Sequence, residues 1–189
     1  RPTTTGVVGG GLMGRDIAGL LANGGFPVTL VDVDPDALAA ARNYHDTELA
    51  DALEAAGLRS AGEDGSGAAI TDRIEYDTEL DALADCEFVV EAVPERLELK
   101  RGLLADLESV LAEDAVIGTN TSSLTPGDIA ADAAAPERVV LFHFANPALE
   151  RDVVEIAGDD ATNRALSTAT DVAEAIDRTP IRLGAEYRA

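Results

Sequence analysis

Three polar residues in the C-terminal half have the types and spacing that acid–base chemistry needs. His143 follows the apolar run V-V-L-F, and Glu155 lies within the apolar run V-V-E-I, where a carboxylate needs a partner. A histidine can accept a proton near neutral pH, and a carboxylate on its far ring nitrogen would orient the ring and stabilise its cation. The hydroxyl of Ser122 could donate a hydrogen bond to a substrate oxygen. Such a set suits removal of a proton from an alcohol.

Each of these residues also has a structural interpretation. His143, between two phenylalanines, would be a semi-buried histidine with satisfied hydrogen bonds. Ser122 would cap a following helix, and Glu155 would be an exposed residue of an edge strand. The second histidine, His45, is expected on a helix surface. A Ser–His–acid hydrolase is a further alternative, but the chain has no G-x-S-x-G motif and its glycine-rich turn would then be unexplained.

The glycine-rich turn lies near the N-terminus, between a predicted strand and a predicted helix. In the motif G-x-G-x-x-G, the first glycine permits the tight turn, the second lets a pyrophosphate approach the backbone, and the third lets helix and strand pack closely. The free N–H groups at the helix N-terminus favour a phosphate there. We therefore predict a dinucleotide site. The residues expected to contact the dinucleotide in this turn are Gly9, Gly11, Leu12, Met13 and Gly14.

Asp32 ends the second predicted strand, about twenty residues after the motif, where the dinucleotide fingerprint places an acid. Its carboxylate can accept hydrogen bonds from both ribose hydroxyls of an adenosine, and its charge repels a 2′-phosphate. NAD is therefore expected rather than NADP. The nicotinamide would take a hydride while His143 takes the hydroxyl proton. The alternative is a doubly wound fold with an empty or mononucleotide site.

Strand-like and helix-like segments alternate along the chain, which predicts an α/β fold. The expected architecture is a Rossmann-type, doubly wound, mostly parallel sheet with helices on both faces, and one NAD-binding domain over residues 1–189. Within it we expect one helix over residues 35–57, a flexible loop over residues 60–69, a strand over residues 70–76 and a short helix over residues 128–134.

The composition is strongly acidic, with 36 Asp and Glu against 14 Lys and Arg and a net charge of −22. This charge disfavours nucleic acids and anionic membranes as partners, and no apolar run is long enough to span a bilayer. The single cysteine, Cys86, fits a reducing cytoplasm, and no metal site is predicted. Lys100 is the only lysine. Scattered acidity with so little lysine suggests a halophilic protein of a high-salt cytoplasm, where salt screens the repulsion.

Four motifs follow one another along the chain: E-A-V-P-E-R-L-E-L-K, T-N-T-S-S-L, P-E-R-V-V-L-F-H-F-A-N-P and V-V-E-I. Together they resemble the NAD-binding domain of the 3-hydroxyacyl-CoA dehydrogenases over nearly the whole chain. The resemblance implies oxidation of an L-3-hydroxyacyl-CoA to the 3-ketoacyl-CoA with NAD, or the reverse, as in fatty-acid β-oxidation. It implies His143 as general base, Glu155 as its charge partner and Ser122 as a substrate contact near the nicotinamide. The other positions that it places in the cofactor pocket are Asp32, Glu95, Lys100, Asn120 and Asn146.

Three departures from that family concern the substrate. The chain ends in G-A-E-Y-R-A where the family continues as D-T-P-G-F-x-x-N-R, so we expect this chain to lack the helical C-terminal domain that usually forms the family's dimer. The family's coenzyme A contacts fall on Glu48 and Ala55. An aromatic residue of the family is replaced by Ala145.

These departures leave three hypotheses. The first is an NAD-dependent 3-hydroxyacyl-CoA dehydrogenase that is active with a C-terminal domain, supplied in a longer chain or by a partner, with a homodimer as one candidate assembly. The second is a stand-alone NAD-binding module with little turnover. The third is a related dehydrogenase that acts on a small 3-hydroxy acid without coenzyme A.

Overall fold

A computed structural model describes residues 1–58 and 70–184, and in this part of the chain strands and helices alternate. The strands are β1 Thr5–Val8, β2 Val28–Val31, β3 Ile74–Asp77, β4 Phe88–Glu91, β5 Val116–Thr119, β6 Val139–Phe144, β7 Val153–Ala157 and β8 Thr179–Arg182. The helices are α1 Leu12–Asn23, α2 Pro35–Thr47, α3 Leu49–Ala55, α4 Leu97–Val110, α5 Pro126–Ile129 and α6 Asn163–Ala175. Short 3₁₀ turns occupy Ile70–Arg73, Leu80–Leu83 and Pro136–Arg138.

The strands form one sheet in the order β3-β2-β1-β4-β5-β6-β7-β8. All neighbours are parallel except β6 and β7, which are antiparallel. Successive strand residues point to opposite faces, so Val7 packs in the core with α1 and α6 while Val8 packs in the core with α4. Helices therefore cover both faces, and the predicted doubly wound Rossmann-type sheet is confirmed. No helix in the described residues combines the length and apolar character needed to cross a bilayer.

Several predicted boundaries were wrong. The single helix expected over residues 35–57 breaks at Glu48, and the break turns Leu49 onto Gly19 of α1, where an added Cβ would lie 2.6 Å from a leucine methyl. The strand expected from residue 70 starts at residue 74, after a 3₁₀ turn. The helix expected over residues 128–134 begins and ends earlier, because Thr125 caps it and a proline occupies its first turn. The loop expected over residues 60–69 lies outside the described residues.

His45 lies in the core, so its expected place on a helix surface is wrong. Its ring is 3% exposed and bridges two other elements. Nε2 lies 2.7 Å from the carbonyl oxygen of Arg15, and Nδ1 lies 2.7 Å from the hydroxyl of Tyr76. Because a carbonyl only accepts, Nε2 carries the hydrogen and Nδ1 accepts from the tyrosine. Burial lowers the pKa of His45, which keeps the ring neutral in this structural role.

The only lysine is also buried. The side chain of Lys100, on α4, has no exposed surface, and its Nζ lies 2.8 and 2.9 Å from the two carboxylate oxygens of Glu91 at the end of β4. The same ammonium donates to the carbonyl oxygens of Val93 and Asn120, at 3.3 and 3.4 Å. Thr119 of β5 donates its hydroxyl to Glu91 as well. One buried ion pair therefore ties α4 to the ends of β4 and β5.

Two glycines of the turn, Gly14 and Gly11, differ in whether the fold requires them. A Cβ on Gly14 would lie 1.7 Å from the carbonyl oxygen of Gly9, so α1 approaches the end of β1 too closely for any side chain. A Cβ on Gly11 would meet nothing within 4 Å. Any requirement for glycine at position 11 must therefore come from a ligand, whereas the requirement at position 14 comes from packing.

We predict that Gly14→Ala lowers the free energy of unfolding by about 1–3 kcal/mol or more, because the new methyl group overpacks the turn. Gly11→Ala is the matched control. Its backbone, at φ −69°, is open to any residue, so the change should stay below about 1 kcal/mol. Chemical denaturation of both variants measures the difference. Equal destabilisation would show that the close approach at residue 14 does not constrain the fold.

We also predict that Lys100→Met destabilises the protein by about 3–5 kcal/mol, because it leaves the Glu91 carboxylate buried without its counter-charge. The double variant Lys100→Met/Glu91→Gln removes both charges and should regain most of that loss. Thermal and urea unfolding of the two variants in the same salt provide the measurement. A double variant no more stable than the single one would contradict the pairing.

Candidate active site

A cleft of about 1240 Å³ lies beyond the carboxyl ends of β1, β2, β4, β5 and β6. Parallel strands deliver these ends to one edge of the sheet, which is where ligands bind in this architecture. Most of the residues predicted from the sequence line it together: Gly9, Gly11, Leu12, Met13, Asp32, Glu95, Asn120, Ser122, His143 and Asn146. Three predicted residues, Gly14, Lys100 and Glu155, do not line the cleft.

The glycine turn and Asp32 form one hydrogen-bonded unit. The backbone N–H of Gly10 donates to one oxygen of the Asp32 carboxylate at 2.6 Å, and the N–H of Asp34 donates to the other at 2.9 Å. Gly9 has φ +105°, and a Cβ there would lie 2.9 Å from the carbonyl oxygen of Ala92, so this position needs glycine. Each carboxylate oxygen keeps capacity to accept a further hydrogen bond from a ribose hydroxyl. Nothing in the sequence indicates the hydrogen bond between the Gly10 N–H and the Asp32 carboxylate.

His143 and Glu155 form a cross-strand pair. They lie directly opposite in the antiparallel register of β6 and β7, with Nδ1 at 2.8 Å from Oε2. Because the carboxylate can only accept, Nδ1 carries the hydrogen, and Nε2 of the neutral ring keeps its lone pair. The histidine lies within β6, which extends two residues beyond the apolar run V-V-L-F. The interpretation of Glu155 as an edge-strand residue is wrong, since β7 lies between β6 and β8.

Glu95 and Ser122 meet at the turn that follows β5. The carboxylate oxygen Oε1 of Glu95 accepts from the backbone N–H groups of Ser122 and Ser123, at 3.2 and 3.1 Å, and from the hydroxyls of Thr121 and Ser123. Burial raises the pKa of Glu95, but these hydrogen bonds and the Lys100 ammonium outweigh it, so the pKa is lowered and the carboxylate is ionised at neutral pH. Ser122 does not cap a helix, because α5 is capped by Thr125.

The remaining predicted residues differ in how they reach the cleft. Asn146 lines it directly, after the end of β6. The Asn120 side chain accepts a hydrogen bond from the backbone N–H of Phe144 at 3.0 Å and so ties β5 to β6. The Lys100 ammonium is buried behind the lining, 3.7 Å from the nearer oxygen of Glu95. Lys100 therefore meets the cleft through Glu95, and its expected place beside the cofactor stays a prediction.

Sequence reasoning missed part of the site. Val33 lines the cleft with 87% of its surface exposed and, with the predicted Leu12 at 53%, gives an apolar rim suited to a flat base. An exposed valine directly after the acid of the fingerprint is a signal that could have been noticed. Glu91 was missed because the short apolar strand that it ends does not indicate an ion pair with Lys100. Within residues 1–58 and 70–184, no cluster of His, Cys, Asp and Glu is placed to hold a metal ion.

The chain resembles solved dehydrogenases along nearly its whole length. It is 31% identical to 3-hydroxybutyryl-CoA dehydrogenase from Escherichia coli, with a TM-score of 0.86, over 96% of this chain and 38% of that one. It is 26% identical to (S)-3-hydroxybutyryl-CoA dehydrogenase from Ralstonia eutropha, with a TM-score of 0.86, over 97% and 64%. It is 29% identical to a diketoreductase acting on dicarbonyl compounds, with a TM-score of 0.87, over 99% and 66%. The chain thus spans between about a third and two thirds of these proteins.

Residues 4–186 match the family described as 3-hydroxyacyl-CoA dehydrogenase, NAD binding domain. The match includes the glycine turn, the cleft and the His143–Glu155 pair. The chain therefore belongs to the 3-hydroxyacyl-CoA dehydrogenase family, as its NAD-binding domain.

Proposed function

We propose that this chain is the NAD-binding part of an enzyme that oxidises an L-3-hydroxyacyl-CoA to the 3-ketoacyl-CoA, or catalyses the reverse reaction. The observation that carries the proposal is the His143–Glu155 pair, at 2.8 Å, at the edge of a cleft that begins with a dinucleotide-type glycine turn. A binding module alone has no need of a histidine whose tautomer is set by a carboxylate.

The residues of the cleft suit NAD. The glycine turn and the N-terminus of α1 would receive the pyrophosphate, and Asp32 would accept hydrogen bonds from the adenosine ribose. The apolar rim at Leu12 and Val33 would cover the base. When bound, NAD supplies the acceptor for the hydride.

The protein's own part in the reaction is to move one proton and to orient one oxygen. Nε2 of His143 takes the hydroxyl proton, and Glu155 stabilises the resulting imidazolium through the hydrogen bond to Nδ1. The hydroxyl of Ser122 donates a hydrogen bond to the oxygen that becomes a carbonyl. In the reductive direction His143 returns the proton to that oxygen.

A second candidate is a dehydrogenase of a small 3-hydroxy acid or other small carbonyl compound without coenzyme A. Glu48 and Ala55, the positions that match the family's coenzyme A contacts, are an exposed carboxylate and an exposed methyl group. A carboxylate repels the phosphates of coenzyme A unless salt screens it. The likeness to a diketoreductase agrees with this candidate.

The partner of this domain is also a proposal. We propose that a helical C-terminal domain closes the cleft, in a longer chain, in a homodimer or as a separate partner, since the matched dehydrogenases are longer than this chain. A high-salt cytoplasm stays a prediction from the net charge of −22.

We predict that His143→Ala lowers turnover by about 10² to 10⁴, the usual contribution of general acid–base catalysis, while NADH affinity stays nearly unchanged. The measurement is acetoacetyl-CoA-dependent NADH oxidation by this chain in molar potassium chloride, with NADH affinity from calorimetry. Equal losses of turnover and affinity would make His143 structural. Turnover with free acetoacetate but not with acetoacetyl-CoA would select the second candidate. Intact NADH binding without turnover would mean a competent cofactor domain that needs a C-terminal domain for catalysis, or that never uses one.

We also predict that Asp32→Asn increases the affinity for NADPH relative to NADH by about tenfold or more, because juxtaposed like charges cost several kcal/mol. Asp36→Asn is the matched control, since Asp36 is exposed in the first turn of α2 and does not line the cleft. Calorimetric titration of both cofactors, at one salt concentration, gives the ratio. An unchanged ratio in the Asp32 variant would remove this residue from the ribose site.

A further inference from the structure

We propose that Glu95 is a positioning residue, which fixes the Thr121–Ser123 turn and thereby sets where Ser122 lies in the cleft. The resemblance to the family suggested a place for Glu95 near the cofactor ribose. The contacts of its carboxylate point instead to the protein's own serine-bearing turn. The kinetic part of this inference rests on the proposed function, because it takes Ser122 as the residue that contacts substrate.

One carboxylate oxygen of Glu95 receives all of its contacts from the turn. The N–H groups of Ser122 and Ser123 and the hydroxyl of Ser123 lie within 3.2 Å of Oε1, and the hydroxyl of Thr121 donates to it as well. Thr121 in turn accepts from the N–H of Leu124 at 3.1 Å, which closes the turn. A carboxylate oxygen offers about two lone-pair directions, so Oε1 has no capacity left for a ligand.

Lys100 holds the other side of the same carboxylate. Its ammonium lies 3.7 Å from Oε2 of Glu95 and is anchored by the two hydrogen bonds to Glu91. Because the lysine side chain has no exposed surface, solvent does not screen its charge, and the surrounding residues hold the ammonium group in place. Glu95 itself is about one third exposed, at 35%, and bridges this fixed charge to the turn at the cleft surface.

This arrangement distinguishes Ser122 from its neighbours. Thr121 and Ser123 give their hydroxyls to Glu95, whereas Ser122 gives only its backbone N–H. Ser122 also lines the cleft. Asn120, which precedes the Thr121–Ser123 turn, accepts a hydrogen bond from the N–H of Phe144, next to His143. A single hydrogen-bonded network thus sets the position of the Ser122 backbone relative to the strand that carries the proposed base.

The first test examines the turn without turnover. In Glu95→Gln, we expect the backbone amides of Ser122 and Ser123 to exchange hydrogen about tenfold faster, because hydrogen bonds to a charged group are worth more than those to a neutral one. Glu113→Gln is the matched control, since it removes one exposed charge distant from the cleft. Unchanged exchange in Glu95→Gln, measured by nuclear magnetic resonance on the whole chain, would overturn the proposal. Glu95 is partly exposed, so its substitution disturbs the fold less than substitution of the buried Lys100.

The second test is a double-mutant cycle with Ser122→Ala. In the unaltered background, Glu95→Gln should lower kcat about tenfold and leave NADH affinity within about twofold. In the Ser122→Ala background, adding Glu95→Gln should lower kcat by less than about twofold. Equal losses in both backgrounds would overturn the proposal. So would a loss of NADH affinity with unchanged amide exchange, since that result indicates direct contact with the cofactor. If the unaltered chain shows no turnover, catalysis either needs the proposed C-terminal domain or does not occur, and the amide exchange then decides this inference alone.

Discussion

The ammonium group of Lys100 lies where two parallel strands end, surrounded by two carboxylates and two backbone carbonyl groups. An ammonium taken out of water costs several kcal/mol unless a carboxylate and further acceptors replace its hydration. Glu91 and the carbonyl oxygens of Val93 and Asn120 supply that replacement. Since these groups belong to the ends of β4 and β5, the charge can be buried only when α4 and both strands are in register. The ion pair thus couples formation of the core to formation of the cleft.

The second constraint is the change of direction in the sheet. Six strands run parallel, so their polar ends gather at one edge, where a charged dinucleotide can be held by backbone N–H groups. The antiparallel strand β7 then returns along β6 and places Glu155 directly opposite His143. A parallel neighbour would have required a crossover and would have placed a different residue there. The hairpin therefore supplies His143 with its carboxylate partner from twelve residues further along the sequence.

The sequence predicted those parts of the fold and site that depend on local patterns. Gly9, Gly14 and Asp32 could be recognised because the turn needs particular residue types at particular spacings. The burial of His45 and Lys100 could not, because it depends on contacts with residues distant in sequence, such as Tyr76 and Glu91. The break at Glu48 has the same origin, since packing of Leu49 on α1 overrides the continuous helical pattern. The hydrogen bonds of Glu95 to the Thr121–Ser123 turn likewise required the structure.

The central claim is that NAD binds in this cleft beside His143. The most direct measurement is a titration of NADH into isotope-labelled protein, followed through the backbone amide chemical shifts. The claim predicts concentrated shifts at the Gly9–Gly14 turn, at Asp32, and at Ser122 and His143, with none at the opposite edge of the sheet around Thr4 and Pro27. Shifts confined to that opposite edge, or no shifts at saturating NADH, would contradict it.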